Sequence, residues 1–265
     1  MSSLVRSNSH CIWRLLDLSY PDPSRNLALE EALFRASVAE GFQPTFRLWV
    51  NHPTVVVGRF QDVRSEVDLK ACYQHHVQIV RRFTGGGAVF HDEGNINFTI
   101  LGPRQKGMPV SGLHEFNSSV ALKLLKHFGA RGCFVPPNSI HVSEGKISGA
   151  AATLNRDFAL WHASILISTD LQLLNRTLSP SRNYHNTNFV RSRWQPTTNL
   201  TATIGNRVDL EEVRCELSKS FETVFQVSLE SGHIRPVEEA YLSELYASKY
   251  SSREWNLSGH ITRMN

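Results

Sequence analysis

The sequence lacks the features that assign a chain at once to several large classes. No segment approaches the ~18 consecutive apolar residues of a membrane helix. No block of Lys or Arg stands out, and the formal net charge is only +4. Internal repeats and low-complexity tracts are also missing. We therefore expect neither a membrane protein nor a nucleic-acid-binding module, although the mild positive charge suits anionic ligands or acidic partners.

Signatures of nucleotide binding and of zinc binding are absent as well. Neither GxxxxGK[ST] nor GxGxxG occurs, which argues against a P-loop NTPase and a Rossmann dehydrogenase. The four cysteines are scattered without CxxC spacing, which excludes a common zinc pattern and favours a reducing compartment. The N-terminus, MSSLVRSNSHCIWRLLDLSY, has no apolar core of signal-peptide length. We expect a cytoplasmic protein, with organelle targeting left open by the early arginines and serines.

The 265 residues, 41% of them hydrophobic, suffice for one large domain over 1–265, with a last helix and tail at about 236–265. Apolar spacing predicts helices at 26–39, 113–129, 208–225 and from Pro236 to about Tyr250. Alternating or β-branched runs predict strands at 46–50, 54–60, 77–84, 88–92 and 95–102, and a three-stranded meander over 139–168. We expect the first two strands to form a hairpin. The order predicts an α+β fold, a mostly antiparallel or mixed β-sheet flanked by helices.

One stretch, RRFTGGGAVFHDEGNINFTI at 81–100, is unusual for its three consecutive glycines beside two arginines. Glycines adopt backbone angles closed to other residues, and their unhindered N–H groups can form an anion-binding concavity. Arg82 could add a bidentate contact to a phosphate or carboxylate. The alternative, a loose hairpin turn with solvated arginines, leaves His91 and Asn95 unexplained. We therefore favour a ligand cradle formed by Gly85–Gly87.

Two further clusters carry groups of chemical interest. In EGKISGAA, Lys146 follows a tight turn and precedes a run of small residues, so its side chain could cross a groove lined by bare backbone. In LWHASIL, His162 lies within an apolar strand. Each has an ordinary explanation in isolation: an exposed lysine after a turn, and a hydrogen-bonded core histidine.

Taken together and in order, RRFTGGGAVFHDEGNINFT, KISGAA and LWHASIL resemble the lipoate–protein ligase A family, within the wider biotin/lipoate protein ligase fold. NLALEEALF, VVVGRFQ, VRSRWQPTTNLT and EWNLSG resemble it too, so the resemblance covers most of the chain. Members of the family use ATP and Mg²⁺ to activate lipoate or octanoate as the acyl-adenylate. They then transfer the acyl group to a lysine of a lipoyl carrier domain, in 2-oxoacid dehydrogenase complexes or in the glycine cleavage H protein.

The resemblance also implies residue roles. Lys146 would be catalytic and contact the activated carboxyl and the phosphate oxygens. The residues expected to bind the substrate or the adenylate are Arg82, Gly85, Gly86, Gly87, Ala88, His91, Asn95, Ser148, Gly149, Ala150 and His162. Leu48, Val56, Ile147 and Ala150 would line the channel for the lipoyl chain. No metal ligand is assigned.

Two departures from the family pattern keep alternatives open. Many members have Asn-Asp before the lysine turn, whereas this chain has Asn138-Ser139, so an acidic group that could help hold Mg²⁺ is missing. Many also continue beyond the EWN motif, which here lies close to Asn265. The chain could therefore need a separate accessory ligase subunit, or be only the ligand-binding half of a two-protein ligase. It could also be an ATP-independent octanoyl or lipoyl transferase that forms a thioester on Cys133, with Arg131 nearby to stabilise a thiolate.

Overall fold

The computed structural model describes residues 11–41, 43–104, 106–179 and 189–260, which form two β-sheets with helices packed around them. The strands are β1 Ile12–Asp17, β2 Thr45–Trp49, β3 Thr54–Val57, β4 Gln78–Arg81, β5 Val89–His91, β6 Asn95–Pro103, β7 Cys133–Val135, β8 Ser139–Val142, β9 Gly145–Leu154, β10 Phe158–Leu166 and β11 Ser228–Ser231. The helices are α1 Pro23–Ala39, α2 Val63–Glu66, α3 Leu69–Gln74, α4 Val110–His127, α5 Leu171–Thr177, α6 Leu200–Ile204, α7 Leu210–Phe225, α8 Pro236–Leu245 and α9 Arg253–Ser258.

The larger sheet has eight strands within the described ranges, in the order β11-β1-β2-β6-β10-β9-β8-β7. Strand β1 runs parallel to both of its neighbours, and the other pairs are antiparallel. The smaller sheet has the order β4-β3-β5. The predicted α+β fold with a mixed sheet is therefore confirmed, and the predicted meander over 139–168 is formed by β8, β9 and β10.

The predicted hairpin of the first two sequence-predicted strands is wrong. Strand β2 pairs with β1 and β6 in the large sheet, whereas β3 pairs with β4 and β5 in the small one. Every residue of both strands is buried, so each strand needs neighbours on both edges and cover on both faces. The turn between them carries the chain from one sheet to the other. Likewise, the three glycines join β4 to β5, which flank β3 and do not pair with each other.

The last predicted helix is shorter than expected. Helix α8 ends at Leu245, and one π-helical turn, Tyr246–Tyr250, follows before α9. This turn is held against α1, because Lys249 Nζ and Tyr250 Oη each donate to Glu31 Oε2 at 2.6 Å. No described helix combines the length and apolar content that crossing a membrane requires.

Strand β6 shows how the sequence divides the large sheet into two chemically different faces. Side chains alternate across a strand, and Ile96, Phe98 and Ile100 enter the core beneath α4 and α7. The intervening Asn97 and Thr99 are equally buried but lie on the opposite face. That face is covered by α1 and the small sheet. The alternation therefore creates a buried polar layer, which lies under the cavity described below.

The junction between the N-terminal and C-terminal parts of the chain is a buried ion pair. Arg14 donates from Nη1 and Nη2 to the two carboxylate oxygens of Glu238, at 2.7 and 2.8 Å. Both side chains are almost fully buried. Arg235 Nε adds a further contact to Glu238 Oε1 at 3.0 Å. Strand β1 and helix α8 are thereby joined across the sequence.

We expect Glu238→Ala to lower the free energy of unfolding by about 3–5 kcal/mol, because the change leaves a buried guanidinium without its carboxylate. The neighbouring Glu239 is a matched control, since its ion pair with Arg25 is long, at 3.3 Å, and both side chains are about two-fifths exposed. Glu239→Ala should change the same quantity by no more than about 1 kcal/mol. Urea unfolding of both variants is the measurement, and equal losses would contradict the assignment.

Candidate active site

A cavity of about 390 Å³ lies between the two sheets. Its walls come from the glycine segment, from β9 and β10, from the first turns of α1, and from the segment 190–195. The charged side chains lining it are Arg82, Lys146, Arg191 and Arg193. No carboxylate lies in this wall among the residues that the structure describes. The cavity is therefore a site of net positive charge, suited to an anionic ligand.

The two arginines beside the glycines point back into the protein rather than into solvent. Arg81 is 1% exposed and donates to the backbone carbonyls of Gly58, Gln61 and Trp255. Trp255 belongs to the EWN motif, so Arg81 ties this motif to the small sheet. Buried carbonyls need hydrogen-bond donors, and one guanidinium provides several in a fixed plane.

Arg82 likewise donates hydrogen bonds to backbone carbonyls, in this case those of the glycine segment. Its Nη2 donates to the carbonyls of Gly85 and Gly87 at 2.6 and 2.8 Å, and its Nη1 donates to the carbonyl of Val56 at 3.2 Å. Burial, followed by the charge of Arg81, lowers the pKa of Arg82 to about 10, which leaves it cationic near neutral pH. Most of its N–H groups are used internally, so Arg82 offers the cavity its positive charge more than a free fork of donors.

The glycine segment depends on one unusual backbone angle. Gly86 has a φ of +91°, a conformation that L side chains rarely adopt. A Cβ there would also lie 3.0 Å from Arg82 Nη2. Gly85 differs, since a Cβ on it would only touch the ring of Phe60, at 3.7 Å, on the side away from the cavity. Of these two glycines, Gly86 is therefore the one whose replacement is strained.

Lys146 is placed by its own backbone. Its N–H donates to the carbonyl of Pro196 at 2.8 Å, and its carbonyl accepts from the N–H of Thr198 at 3.0 Å. The side chain lies over Gly149, where a Cβ would come within 3.0 Å of Lys146 Nζ. Burial, and then the charge of Arg82, lowers the pKa of Lys146. The ammonium therefore lies in a partly desolvated position inside the cavity.

His162 belongs to a chain of buried hydrogen bonds. Its Nε2 lies 2.9 Å from Thr84 Oγ1, and its Nδ1 lies 3.1 Å from Glu30 Oε2. Glu30 pairs with Arg47 at 2.6 Å and accepts from Thr99 Oγ1 at 2.7 Å. Burial alone would raise the pKa of Glu30, but the hydrogen bond from His162 and the charge of Arg47 outweigh it and lower the pKa. Both ring nitrogens of His162 are engaged, so the ring is fixed in orientation.

His91 is a neutral imidazole. Burial, followed by the charge of Arg82, lowers its pKa to about 3. Asn51 Nδ2 lies 3.1 Å from His91 Nδ1 and donates a hydrogen bond to it. The proton of the neutral ring is therefore assigned to Nε2. Since His91 lines the cavity, we expect that proton to be available to a ligand.

The segment 189–198, which we call the strap, contributes to the lining of the cavity. Val190 N donates to the carbonyl of Phe60 at 2.8 Å. Ser192 Oγ accepts from Gln61 Nε2 at 3.0 Å and from the backbone N of Ala88 at 2.9 Å. The strap therefore bonds to the glycine segment at one end and to the backbone of Lys146 at the other.

A second cavity, of about 110 Å³, adjoins the first beneath the strap. Both are lined by Lys146, Gly149, Ser164 and Arg193. Its apolar wall includes Phe90, Ile147, Leu166, Leu174, Leu178 and Trp194, and its polar wall includes Glu66, Ser148, Asn175 and Gln195. In the described part of the chain, no group of three or more His, Cys, Asp or Glu side chains is arranged to hold a metal.

The model of the lipoyl protein ligase A/B catalytic domain matches residues 22–222. The chain belongs to this family. This membership confirms the resemblance seen in the sequence and the expectation of an enzyme of this type. A lipoate-protein ligase A subunit 1 of Thermoplasma acidophilum is 32% identical over 92% of this chain and 96% of its own length. The octanoyltransferase LipM of Geobacillus kaustophilus is 30% identical over 92% and 98%.

Solved structures of the same family have the same fold. A lipoate-protein ligase A bound with ATP superposes with a TM-score of 0.81 at 29% identity, over 92% of this chain and 98% of that one. A bipartite lipoate protein ligase of Thermoplasma acidophilum, studied with its E2 lipoyl domain, gives 0.83 at 29% identity over 97% and 100%.

The family's implied site residues mostly come together here. The first cavity is lined by Arg82, Gly86, Gly87, Ala88, His91, Lys146, Gly149, Ala150 and His162. Ser148 lines the second cavity. Gly85 and Asn95 line neither cavity: Gly85 contributes its carbonyl to Arg82, and Asn95 Nδ2 donates to Asn97 Oδ1 behind the wall. That these residues bind a substrate or an adenylate stays a prediction.

Two other expectations fare differently. Leu48, expected beside the lipoyl chain, does not line the first cavity; it packs in the core on the opposite face of β2, because side chains alternate along the strand. Cys133 is exposed at the start of the edge strand β7 and lines neither cavity.

Sequence reasoning missed the strap and the floor of the cavity. VRSRWQ contributed to the resemblance, but its arginines received no role. The clustering of Arg191 and Arg193 was an available signal for an anion site. Trp49 and Asn97 of the floor carried no such signal, since only the register of β2 against β6 brings them together.

We expect Gly86→Ala to weaken binding of a non-hydrolysable lipoyl-adenylate analogue by about tenfold or more, equivalent to about 1.4 kcal/mol. The reason is the strained φ and the displacement of Arg82. Gly85→Ala is the matched control and should bind within about threefold of the unaltered chain (about 0.7 kcal/mol). Calorimetric titration of both variants is the measurement, and equal affinities would show that the glycines serve only a turn.

Proposed function

We propose that the chain is a lipoate–protein ligase that activates lipoate, or octanoate, with ATP as the acyl-adenylate. It then transfers the acyl group to a lysine of a lipoyl carrier domain, of a 2-oxoacid dehydrogenase complex or the glycine cleavage H protein. The observation that carries the proposal is the cavity charge: four Lys or Arg side chains, and no carboxylate among the described lining residues. Both the reacting carboxylate and the α-phosphate are anions that such a site concentrates.

The first step joins two anions, which repel each other in water. One carboxylate oxygen attacks the α-phosphorus, and pyrophosphate leaves. In the second step the carrier lysine, as a free amine, attacks the acyl carbonyl carbon, AMP leaves, and the amine's proton is released. Lys146 is the group we assign to the developing negative charge in both steps, because its ammonium is desolvated and held over Gly149. No protein nucleophile is required.

The floor of the first cavity suits the acyl chain. Its apolar lining includes Leu27, Trp49, Val56 and Ala163. The phosphates then belong near Lys146 and the strap arginines. This leaves the adjoining second cavity, with its apolar wall, for the adenine base. We propose this division because each chemical part of the acyl-adenylate meets a matching wall.

Mg²⁺ would meet few protein ligands in the first cavity. Asn138 and Ser139 line the first cavity at the position where many relatives have Asn-Asp, and the described lining offers no carboxylate there. Mg²⁺ prefers few protein ligands and substrate phosphates. The ion would therefore be held mainly by ATP phosphate oxygens, where it supplies charge neutralisation.

The function is tested by incubating the chain with a lipoyl domain and either lipoate with MgATP or an octanoyl-carrier protein. The mass of the lipoyl domain reports which donor is used. Modification only with lipoate and MgATP supports the ligase. If neither donor works with the isolated chain, the accessory-subunit form requires that adding a second polypeptide restores modification. Failure there too would overturn the proposal.

A transferase remains the second candidate, because octanoyltransferase LipM aligns over almost the full length of both chains. Its route would place an acyl thioester on Cys133. Against it stands the position of Cys133, outside the lining of both cavities and within hydrogen-bonding strand register opposite His141. The geometry favours the ligase.

We expect Lys146→Ala to lower the rate of acyl transfer by at least about 10²-fold, the usual effect of removing one fixed donor to developing charge. Folding stability should change little, since the two strap bonds of Lys146 are made by its backbone. Lys146→Arg should also be largely inactive, because the larger planar guanidinium does not fit in the space above Gly149. The Lys146 side chain already lies so close to Gly149 that a Cβ there would contact Nζ and Cε. Transfer assays with thermal unfolding check both, and a folded, active Lys146→Ala variant would refute the role.

We expect Cys133→Ser to keep most of the activity, within about threefold (about 0.7 kcal/mol), because the activated intermediate is a mixed anhydride. The measurement is lipoyl-domain modification by the variant, together with a mass scan of the unaltered chain for an acyl group on Cys133. An acylated Cys133, lost together with activity in the variant, would replace the ligase with the transferase.

A further inference from the structure

Glu66 is the one carboxylate in the described linings of the two cavities. It is 1% exposed, at the end of α2, and lines the second cavity. Its oxygens accept a shared N–H from Ser192, at 3.1 and 3.2 Å. No ion pair to it occurs among the described residues. Since the described part of the chain gives these oxygens one shared donor, the buried carboxylate retains acceptor capacity for a ligand.

We infer that Glu66 selects the nucleobase by accepting a hydrogen bond from the 6-amino group of adenine. The inference rests on the proposed use of ATP and on placing the base in the second cavity. Among the other polar side chains there, Ser148, Asn175 and Gln195 can each donate or accept, and the cationic Lys146 and Arg193 only donate, so none of them requires an amino group at position 6. A carboxylate only accepts, so it does.

Purine bases without a 6-amino group cannot make this hydrogen bond, so Glu66 would favour adenine over them. Guanine presents a 6-oxo group, whose lone pairs would face those of Glu66, so a buried repulsion replaces a charge-assisted hydrogen bond. A purine with hydrogen at position 6 leaves the carboxylate without that donor. Sites built around a specific hydrogen bond discriminate strongly, because the unsatisfied buried group carries the penalty.

The position of Glu66 also explains how base binding reaches the strap. The same carboxylate receives the N–H of Ser192, whose Oγ accepts the N–H of Ala88 at the end of the glycine segment. A base bound to Glu66 would therefore lie against the residue that fixes the strap. Glu66 would therefore both select the base and hold the strap.

The test compares ATP, purine riboside triphosphate, which lacks the 6-amino group, and GTP as substrates for lipoyl-domain modification. For the unaltered chain we expect kcat/KM with ATP to exceed that with purine riboside triphosphate by about tenfold or more, equivalent to about 1.4 kcal/mol. In Glu66→Leu this ratio should fall towards one. In Glu66→Gln, whose amide can donate to a 6-oxo group, the preference for ATP over GTP should fall by about tenfold or more.

Gln61→Ala is the matched control for a merely structural effect. Gln61 also bonds to Ser192, at 3.0 Å, but lines neither cavity. Its loss should lower kcat/KM for all three nucleotides by the same factor. A Gln61→Ala variant that altered the nucleotide ratios as Glu66→Leu does would assign the effect to the strap and overturn the inference.

Calorimetric binding of AMP and purine riboside monophosphate separates this inference from the proposed function. The measurement needs no acyl transfer. A preference for AMP that Glu66→Leu abolishes supports the inference even for a chain that forms no adenylate alone. Equal binding of both nucleotides by the unaltered chain, or an unchanged preference in folded Glu66→Leu and Glu66→Gln, would overturn it while leaving the ligase proposal untouched.

Discussion

The buried carboxylate of Glu30 is the interaction on which the rest of the site depends. It projects from α1 and meets one side chain from each of three adjacent strands: Arg47 from β2, Thr99 from β6 and His162 from β10. A carboxylate this deep is costly unless all its partners are present together. One charge therefore fixes the position of the helix, the register of the strands and the floor of the cavity.

A series of hydrogen bonds connects the floor of the cavity to the glycine segment. His162 holds Thr84, Thr84 accepts from Arg82, and Arg82 holds the carbonyls of the glycine segment. Each member satisfies the next, which is the condition under which a buried polar network rigidifies a site. The glycine segment, which lacks side chains to pack, receives its shape from this network behind it. Backbone groups thus present a defined surface to the cavity.

The sequence predicted what is local and failed where partners are distant in the chain. Alternation identified β6 and β10, and the ordered motifs brought Lys146, His162 and two of the three glycines to one cavity. The pairing of β2 with β1 and β6 was missed, because a strand buried on both faces carries no local mark of its neighbours. Arg82 was expected to offer a fork to the ligand; its bonds to carbonyls depend on a fold that no residue spacing reveals.

The charge of the first cavity has a consequence for the protein outside its reaction cycle. Arg82 and Lys146 lie close enough for the charge of Arg82 to lower the pKa of Lys146, so each destabilises the other when the cavity holds no anion. Any small anion that enters relieves that repulsion and favours the folded state by mass action. We therefore expect phosphate, pyrophosphate or sulfate in a buffer to raise the stability of the resting protein.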